Sequence, residues 1–276
     1  MSKKYMVRCD VEGVTGVVSY KQVEPDNPEY AFGKDMLMAE LNALIKGLND
    51  GGAESITIYD EHYYGRNIDL SALPENTTAI CGKPPYKTDW AGGLDASYTG
   101  LILSGFHSKR GTPNALLNHT YESEIKNISI NGISLGEIGV EAAIAGDYNV
   151  PLLLVTGDSE GIAEAKKLVP RVETVIVKES LSETGALCYP LEVTTSRIYE
   201  AAIEVAKTSP EITPFRLGGN IELEIELEEG PFYNAYKKLF NKHINGQNVR
   251  ITAGNVTQAW ALYWDSKLKC YAEMGI

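Results

Sequence analysis

The run Pro151 to Thr156 (PLLLVT) stays apolar until its last residue. It is far too short to span a membrane and too continuous for a strand with one wet face, so it fits a strand buried on both sides. Such a strand needs helices packed on both faces of its sheet, and the neighbouring patterns supply them. Gly136 to Tyr148 is Ala-rich and helical, with Glu137 in its first turn. Asp158 or Ser159 can cap a further helix running to about Leu168. Met36 to Leu48 places Leu37, Leu41, Leu44, Ile45 and Leu48 at helical spacing and stops at Gly51 and Gly52. Short strand patterns stand at Tyr5–Cys9, at Ser55–Tyr59 and from Gly100 onward. This alternation predicts an α/β fold: a central, mostly parallel sheet flanked by helices, with a smaller C-terminal α+β part.

The C-terminal third has a different texture. Ile125 to Ile130 followed by Asn131-Gly132 reads as a strand entering a hairpin turn. Asn220 to Leu227 (NIELEIEL) alternates aliphatic residues with Glu, the pattern of a half-exposed strand. Helices are expected at 191–207, 232–240 and 257–264. The stretch 208–219, with two prolines and two glycines, reads as a linker. The expected division is therefore a catalytic α/β unit over 1–207 and a smaller α+β segment over 208–276 that can serve oligomerisation.

Composition removes several function classes. With 37 acidic against 25 basic residues, the net charge is −12, so a nucleic-acid or anionic-membrane partner is not expected. Cys9, Cys81, Cys188 and Cys270 are scattered and form no C-x-x-C pair, which argues against a zinc ribbon or a disulfide framework. The N-terminus shows no secretory signal pattern, so a cytoplasmic location is expected. No G-x-G-x-x-G follows the first strand and no P-loop lysine motif occurs.

The chemistry concentrates where strands end, the usual place for ligands in sheets of this kind. The first strand ends at Asp10 and Glu12, the second at Asp60, Glu61 and His62, the third at His107. Of the four histidines, His62, His107, His119 and His243, two stand directly after expected strands. Asp10 and Glu12 are two residues apart, so in extended chain they point to one side and must bind a cation or raise a pKa. Mixed His and carboxylate ligands suit zinc, and also manganese or cobalt. Two ions about 3.5–4 Å apart can hold a bridging hydroxide and polarise a carbonyl.

Four segments in register resemble the D-aminopeptidases of bacterial dipeptide-utilisation operons: CDVEGVTG at 9–16, YDEH at 59–62, GFHSKRGTPNALLNH at 105–119, and NGISLGEIGVEAAIAGDYNVPLLLVTGD at 131–158. The correspondence runs to about Val177 and is loose beyond it, and the segment between His107 and His119 is one residue longer than the family pattern. The resemblance implies a zinc metallopeptidase with two ions per chain held by Asp10, Glu12, His62, His107 and Glu137. In it Asp10 would bridge the ions, Glu12 and His107 would complete one site, and His62 and Glu137 the other. His119 would be the catalytic histidine; as a donor to an oxyanion or a proton shuttle it would do more than as a nucleophile. The implied reaction is hydrolysis of the N-terminal peptide bond of short peptides of the D-Ala-D-Ala kind, by a homo-oligomer described in the family as a decameric ring.

Two other readings compete. DVEGVT at 10–15 is close to the D-x-D-G-T loop of haloacid-dehalogenase-like phosphatases, but Glu12 replaces the second Asp, and His62 and His107 would have no task there. A non-enzymatic peptide-binding protein would need structural or absent metals, and the cysteine-rich shell usual for structural zinc does not occur.

Overall fold

The computed structural model describes residues 3–208 and 211–275, so Ser209 and Pro210 of the expected linker lie outside the described residues. In chain order the elements are β1 (Lys4–Cys9), α1 (Tyr30–Asp50), β2 (Ser55–Asp60), β3 (Thr77–Ile80), β4 (Gly100–Phe106), β5 (Ile125–Ile130), β6 (Ile133–Leu135), α2 (Glu137–Asp147), β7 (Leu152–Asp158), α3 (Ser159–Leu168), β8 (Glu173–Ser182), β9 (Gly185–Cys188), α4 (Leu191–Thr208), β10 (Ile221–Leu227), α5 (Pro231–Leu239), β11 (Ile244–Asn245), β12 (Asn248–Ala253) and α6 (Val256–Met274).

Seven strands form the main sheet in the order β3-β2-β1-β4-β7-β8-β9. All pair in parallel except the β8–β9 hairpin at one edge. Every residue of β4 and β7 is buried, as the continuous apolar run of β7 requires, because helices cover the sheet. Helix α1 packs along α4, and α2 along α3. The α1–α4 contact is close because Gly47 faces the Tyr199 carbonyl, which a Cβ would meet at 2.5 Å. The mostly parallel sheet with flanking helices is the expected fold class.

A second sheet has the order β11-β12-β10-β5-β6 and is antiparallel where its strands pair. In β10, Ile221, Leu223, Ile225 and Leu227 are buried while the glutamates between them are not, as the alternation predicts. Asn131 and Gly132 close the β5–β6 hairpin, both at positive φ (51° and 77°). The C-terminal segment does not pair only with itself, since β10 lies between β12 and β5 from mid-chain. Helix α6 packs on β10 and β12 and also touches α2. No helix among the described residues is long and apolar enough to cross a membrane.

The register of the main sheet positions the site. Cys9 pairs with Asp60 on one side and Ser104 on the other, so the chain leaves β1, β2 and β4 at one edge. There the 10–17 loop folds over the end of β4: Asp10 N–H donates to the Ser104 carbonyl at 2.9 Å and Gly13 N–H to the Gly105 carbonyl at 2.8 Å. A Cβ on Gly13 would lie 2.0 Å from the Phe106 oxygen, so only glycine allows this approach.

Candidate metal centre

Asp10, Glu12, His62, His107 and Glu137 are all buried and converge, with His119 at their more open side. His62 Nδ1 lies 2.9 Å from Asp10 Oδ1 and 3.0 Å from Glu12 Oε2. His107 Nε2 lies 3.3 Å from Asp10 Oδ2 and 3.5 Å from Glu137 Oε1. The two oxygens of Asp10 thus face two different histidines. The donor atoms fall into two sets, Asp10 with Glu12 and His62, and His107 with His119 and Glu137, each within 4.8 Å. This grouping associates Glu12 with His62, whereas the resemblance implied Glu12 with His107 and His62 with Glu137.

Each of the three histidines of the cluster has one ring nitrogen committed to the backbone. His62 Nε2 is 2.7 Å from the Val23 carbonyl, His107 Nδ1 is 2.9 Å from the Ser108 carbonyl, and His119 Nδ1 is 2.9 Å from the Leu117 carbonyl. A carbonyl can only accept, so each of these nitrogens carries the hydrogen and a neutral ring turns its lone pair toward the carboxylates. A lone pair facing a carboxylate is unfavourable unless a proton or a cation stands between them. Two buried atoms of the cluster also find no hydrogen-bond partner, Glu12 Oε2 and His107 Nε2. Although Glu12 Oε2 is close to His62 Nδ1, that nitrogen carries a hydrogen only in the doubly protonated ring, and then Asp10 Oδ1 takes it. Orphaned buried donor atoms, carbonyl-oriented imidazoles and three carboxylates fit a pair of divalent ions.

Without metal, the cluster holds protons instead. Burial pushes the His62 imidazole down, but the charge of Glu12 and the bond to Asp10 outweigh it and hold its pKa well above the ordinary value. For His107 burial acts in the same direction and is likewise outweighed by Asp10 and Glu137, so its pKa is also raised. Burial would raise the carboxyls of Asp10 and Glu137, yet the histidines hold both below their ordinary values.

His119, a member of the second set, also faces Glu12 of the first. Its Nε2 is 3.9 Å from Glu12 Oε1 and 3.9 Å from Glu137 Oε1, and its ring stacks on that of His107 with centroids 4.2 Å apart. Leu117 and Tyr121 both take positive φ, 49° and 56°, an uncommon conformation for such residues and one that tends to mark functional sites. The left-handed turns give a local reason for the geometry: the Leu117 carbonyl accepts from His119, and Tyr121 N–H donates to Glu137 Oε1 at 2.6 Å.

Around the cluster lies a layer of buried charges. Arg8 is fully buried and bonds Glu61 (2.9 Å), Glu141, Tyr86 and the Ala91 carbonyl (2.8 Å), tying together β1, the end of β2 and α2. Burial, then the charge of Glu141, pushes the Glu61 carboxyl up to about 8. Glu164 accepts from Lys109 N–H and Gly136 N–H, anchoring the chain after His107 and before Glu137. Lys178 reaches under the 10–17 loop. Sequence reasoning reaches none of Arg8, Glu141, Glu164 and Lys178, because a lone charge in a helix or strand pattern reads as a wet face. Asp60, Glu61 and Asp158 could each hold a substrate ammonium if free, but each is already engaged. Asp60 binds Asn67, Glu61 binds Arg8, and Asp158 caps α3 through the N–H groups of Glu160 and Gly161.

Comparison with known proteins identifies the family and the fold. The sequence model of the D-aminopeptidase family matches residues 4–264, well beyond the motif correspondences that end near Val177. A D-aminopeptidase of Bacillus subtilis (strain 168) is 29% identical over 187 residues, covering 67% of each chain. The solved structure described as the Zn-dependent D-aminopeptidase DppA from Bacillus subtilis, a self-compartmentalizing protease, superposes with a TM-score of 0.90 at 23% identity, covering 97% of both chains.

Proposed function

Since the chain belongs to the D-aminopeptidase family, we propose that it hydrolyses the N-terminal peptide bond of short peptides at a two-zinc centre held by Asp10, Glu12, His62, His107 and Glu137. The observation that carries this reading is the arrangement of the imidazoles: each is oriented by a backbone carbonyl so that its other nitrogen meets carboxylates. Asp10, with one oxygen toward each histidine, would be the ligand shared by the two ions. Two bound divalent ions would polarise the scissile carbonyl and activate water at neutral pH, and three carboxylates leave them a residual positive charge that favours an oxyanion.

The chain's own residues supply the proton traffic. With His119 Nδ1–H committed to Leu117, Nε2 is the one atom of that ring free to exchange a proton. Lying equally far from Glu12 and Glu137, it stands over the middle of the site. It takes a proton from the attacking water and returns one to the leaving amine, and in its protonated form it donates to the developing oxyanion. His119→Ala is expected to lower kcat about 10²–10³-fold with both zinc ions retained on elemental analysis. Near-normal turnover with intact metal content would remove His119 from the mechanism.

The family supports a D-configured substrate such as D-Ala-D-Ala, and the Bacillus subtilis likeness supports a closed homo-oligomer that admits short peptides, a ring of ten copies being the form the resemblance implies. We assign the segment from residue 208 onward to assembly, and place the protein in the cytoplasm. The phosphatase reading leaves His62 and His107 without a task, although both lie within 3.5 Å of the carboxylates of the cluster.

A further inference from the structure

The loop that carries Asp10 and Glu12 is held from beneath by a single side chain. Lys178, in β8, is fully buried, and its Nζ donates to the carbonyl oxygens of Glu12 at 2.6 Å, Val14 at 2.8 Å and Val17 at 2.5 Å. An ammonium has three hydrogens, and all three are taken by one six-residue stretch of backbone. The other side of the same loop is gripped by Glu40 of α1, whose Oε1 accepts from Thr15 N–H at 2.8 Å and Thr15 Oγ at 2.5 Å. Thr15 Oγ in turn lies 2.8 Å from Thr194 Oγ of α4. A buried lysine and a buried glutamate, from elements distant in sequence, thus fix a loop with no regular structure of its own. Hydrophobic packing alone leaves the carbonyls of such a loop unpaired, and buried unpaired carbonyls are costly.

We infer that Lys178 is a positioning residue for the metal centre: by holding the carbonyls of Glu12, Val14 and Val17 it sets the direction in which the Asp10 and Glu12 side chains leave the loop. It touches neither substrate nor the reacting atoms. This rests on the metal-centre reading given above. The loop supplies both carboxylates of the set completed by His62 and only the shared Asp10 to His107 and Glu137. Loss of Lys178 therefore weakens one zinc ion more than the other, which a role in stability alone would not do.

The test is competition titration of the metal-free full-length protein with zinc, reading two affinities, for the unaltered chain, Lys178→Met and Lys178→Gln. Methionine matches the stem and leaves all three carbonyls without a donor; glutamine returns two N–H groups without the charge. The expected result is one affinity weakened about 10–100-fold in Lys178→Met and less in Lys178→Gln. The second affinity is expected to change by a smaller factor, and the d–d spectrum of the cobalt-loaded variant to be altered. Two unchanged affinities in a folded variant would overturn the inference, even if its melting temperature falls. Failure of the unaltered chain to bind zinc would instead sink the metal-centre reading itself. If neither variant folds, lysine-selective ¹⁵N labelling of the unaltered chain decides. An ammonium held by three carbonyls gives a slowly exchanging signal, expected to move when zinc is added; a signal indifferent to zinc contradicts the role.

Discussion

Asp10→Asn is expected to lower dipeptide hydrolysis about a thousand-fold or more, a larger effect than loss of any other single ligand. The reason is its position. One Asp10 oxygen faces His62 and the other faces His107, so one substitution removes negative charge from both halves of the centre. Asn keeps the volume and retains one acceptor oxygen, so the 10–17 loop, held by Gly13, Glu40 and Lys178, stays folded. By contrast, His62→Ala touches the first set and leaves His107, His119 and Glu137 in place. Equal metal content in Asp10→Asn and the unaltered chain, by elemental analysis, would remove Asp10 as the shared ligand.

Zinc affinity is expected to rise steeply with pH, by up to about 100-fold per unit where two histidine protons are displaced. In the metal-free protein both His62 and His107 have pKa values held well above the ordinary value of about 6.5, and zinc binds only the unprotonated nitrogen. The affinity is therefore lost as pH falls through those raised values. Stability of the metal-free chain runs the other way. A histidine with a raised folded pKa contributes stability that is full below about pH 6.5 and lost as pH rises through the folded value. Asp10 and Glu137, lowered in the folded state, contribute stability present above about pH 4 and lost as pH falls through their folded values. Removing zinc should shift the pH of maximal stability toward acid, into the window between those limits. Calorimetric titration in two buffers of different ionisation enthalpy measures the protons released on zinc binding. A release of none would contradict the protonated cluster.

The architecture was legible where burial dictates pattern. The apolar run of β7, the leucine spacing of α1 and the Ile–Glu alternation of β10 each follow from which faces meet water, and each occurs where the pattern put it. Helix α6 runs from Val256 to Met274, ten residues past the expected end, because its later turns mix buried Ser266, Lys267 and Cys270 with exposed residues and blur the stripe. Strand β8 (ETVIVKESLS) was not anticipated: its polar ends and its lysine resemble loop, and its burial comes from β7 and from α3 and α4 packing over it. The second sheet was equally hidden, since the pairing of β10 with β5 joins segments almost a hundred residues apart.

The site divides along the same line. Rarity exposed its inner residues: with four histidines in the chain, two at strand ends stand out, and D-x-E after a strand adds carboxylates on the same edge. The supporting charges are ordinary residues made meaningful only by tertiary contact. Arg8 sits in a strand beside Val7 and Cys9, and its bonds to Glu61 and Glu141 span 53 and 133 residues of chain. Lys178 is separated from the carbonyl it binds at Glu12 by 166 residues. No local pattern records such contacts.

The most direct test of the two-zinc peptidase account is a titration of the metal-free protein with zinc, following D-Ala-D-Ala hydrolysis at each addition. Activity is expected to saturate at two ions per chain and to be absent from a His62→Ala, His107→Ala variant at any zinc level. Zinc bound at two per chain with no hydrolysis of either D- or L-dipeptides, or no zinc bound at all, would contradict it.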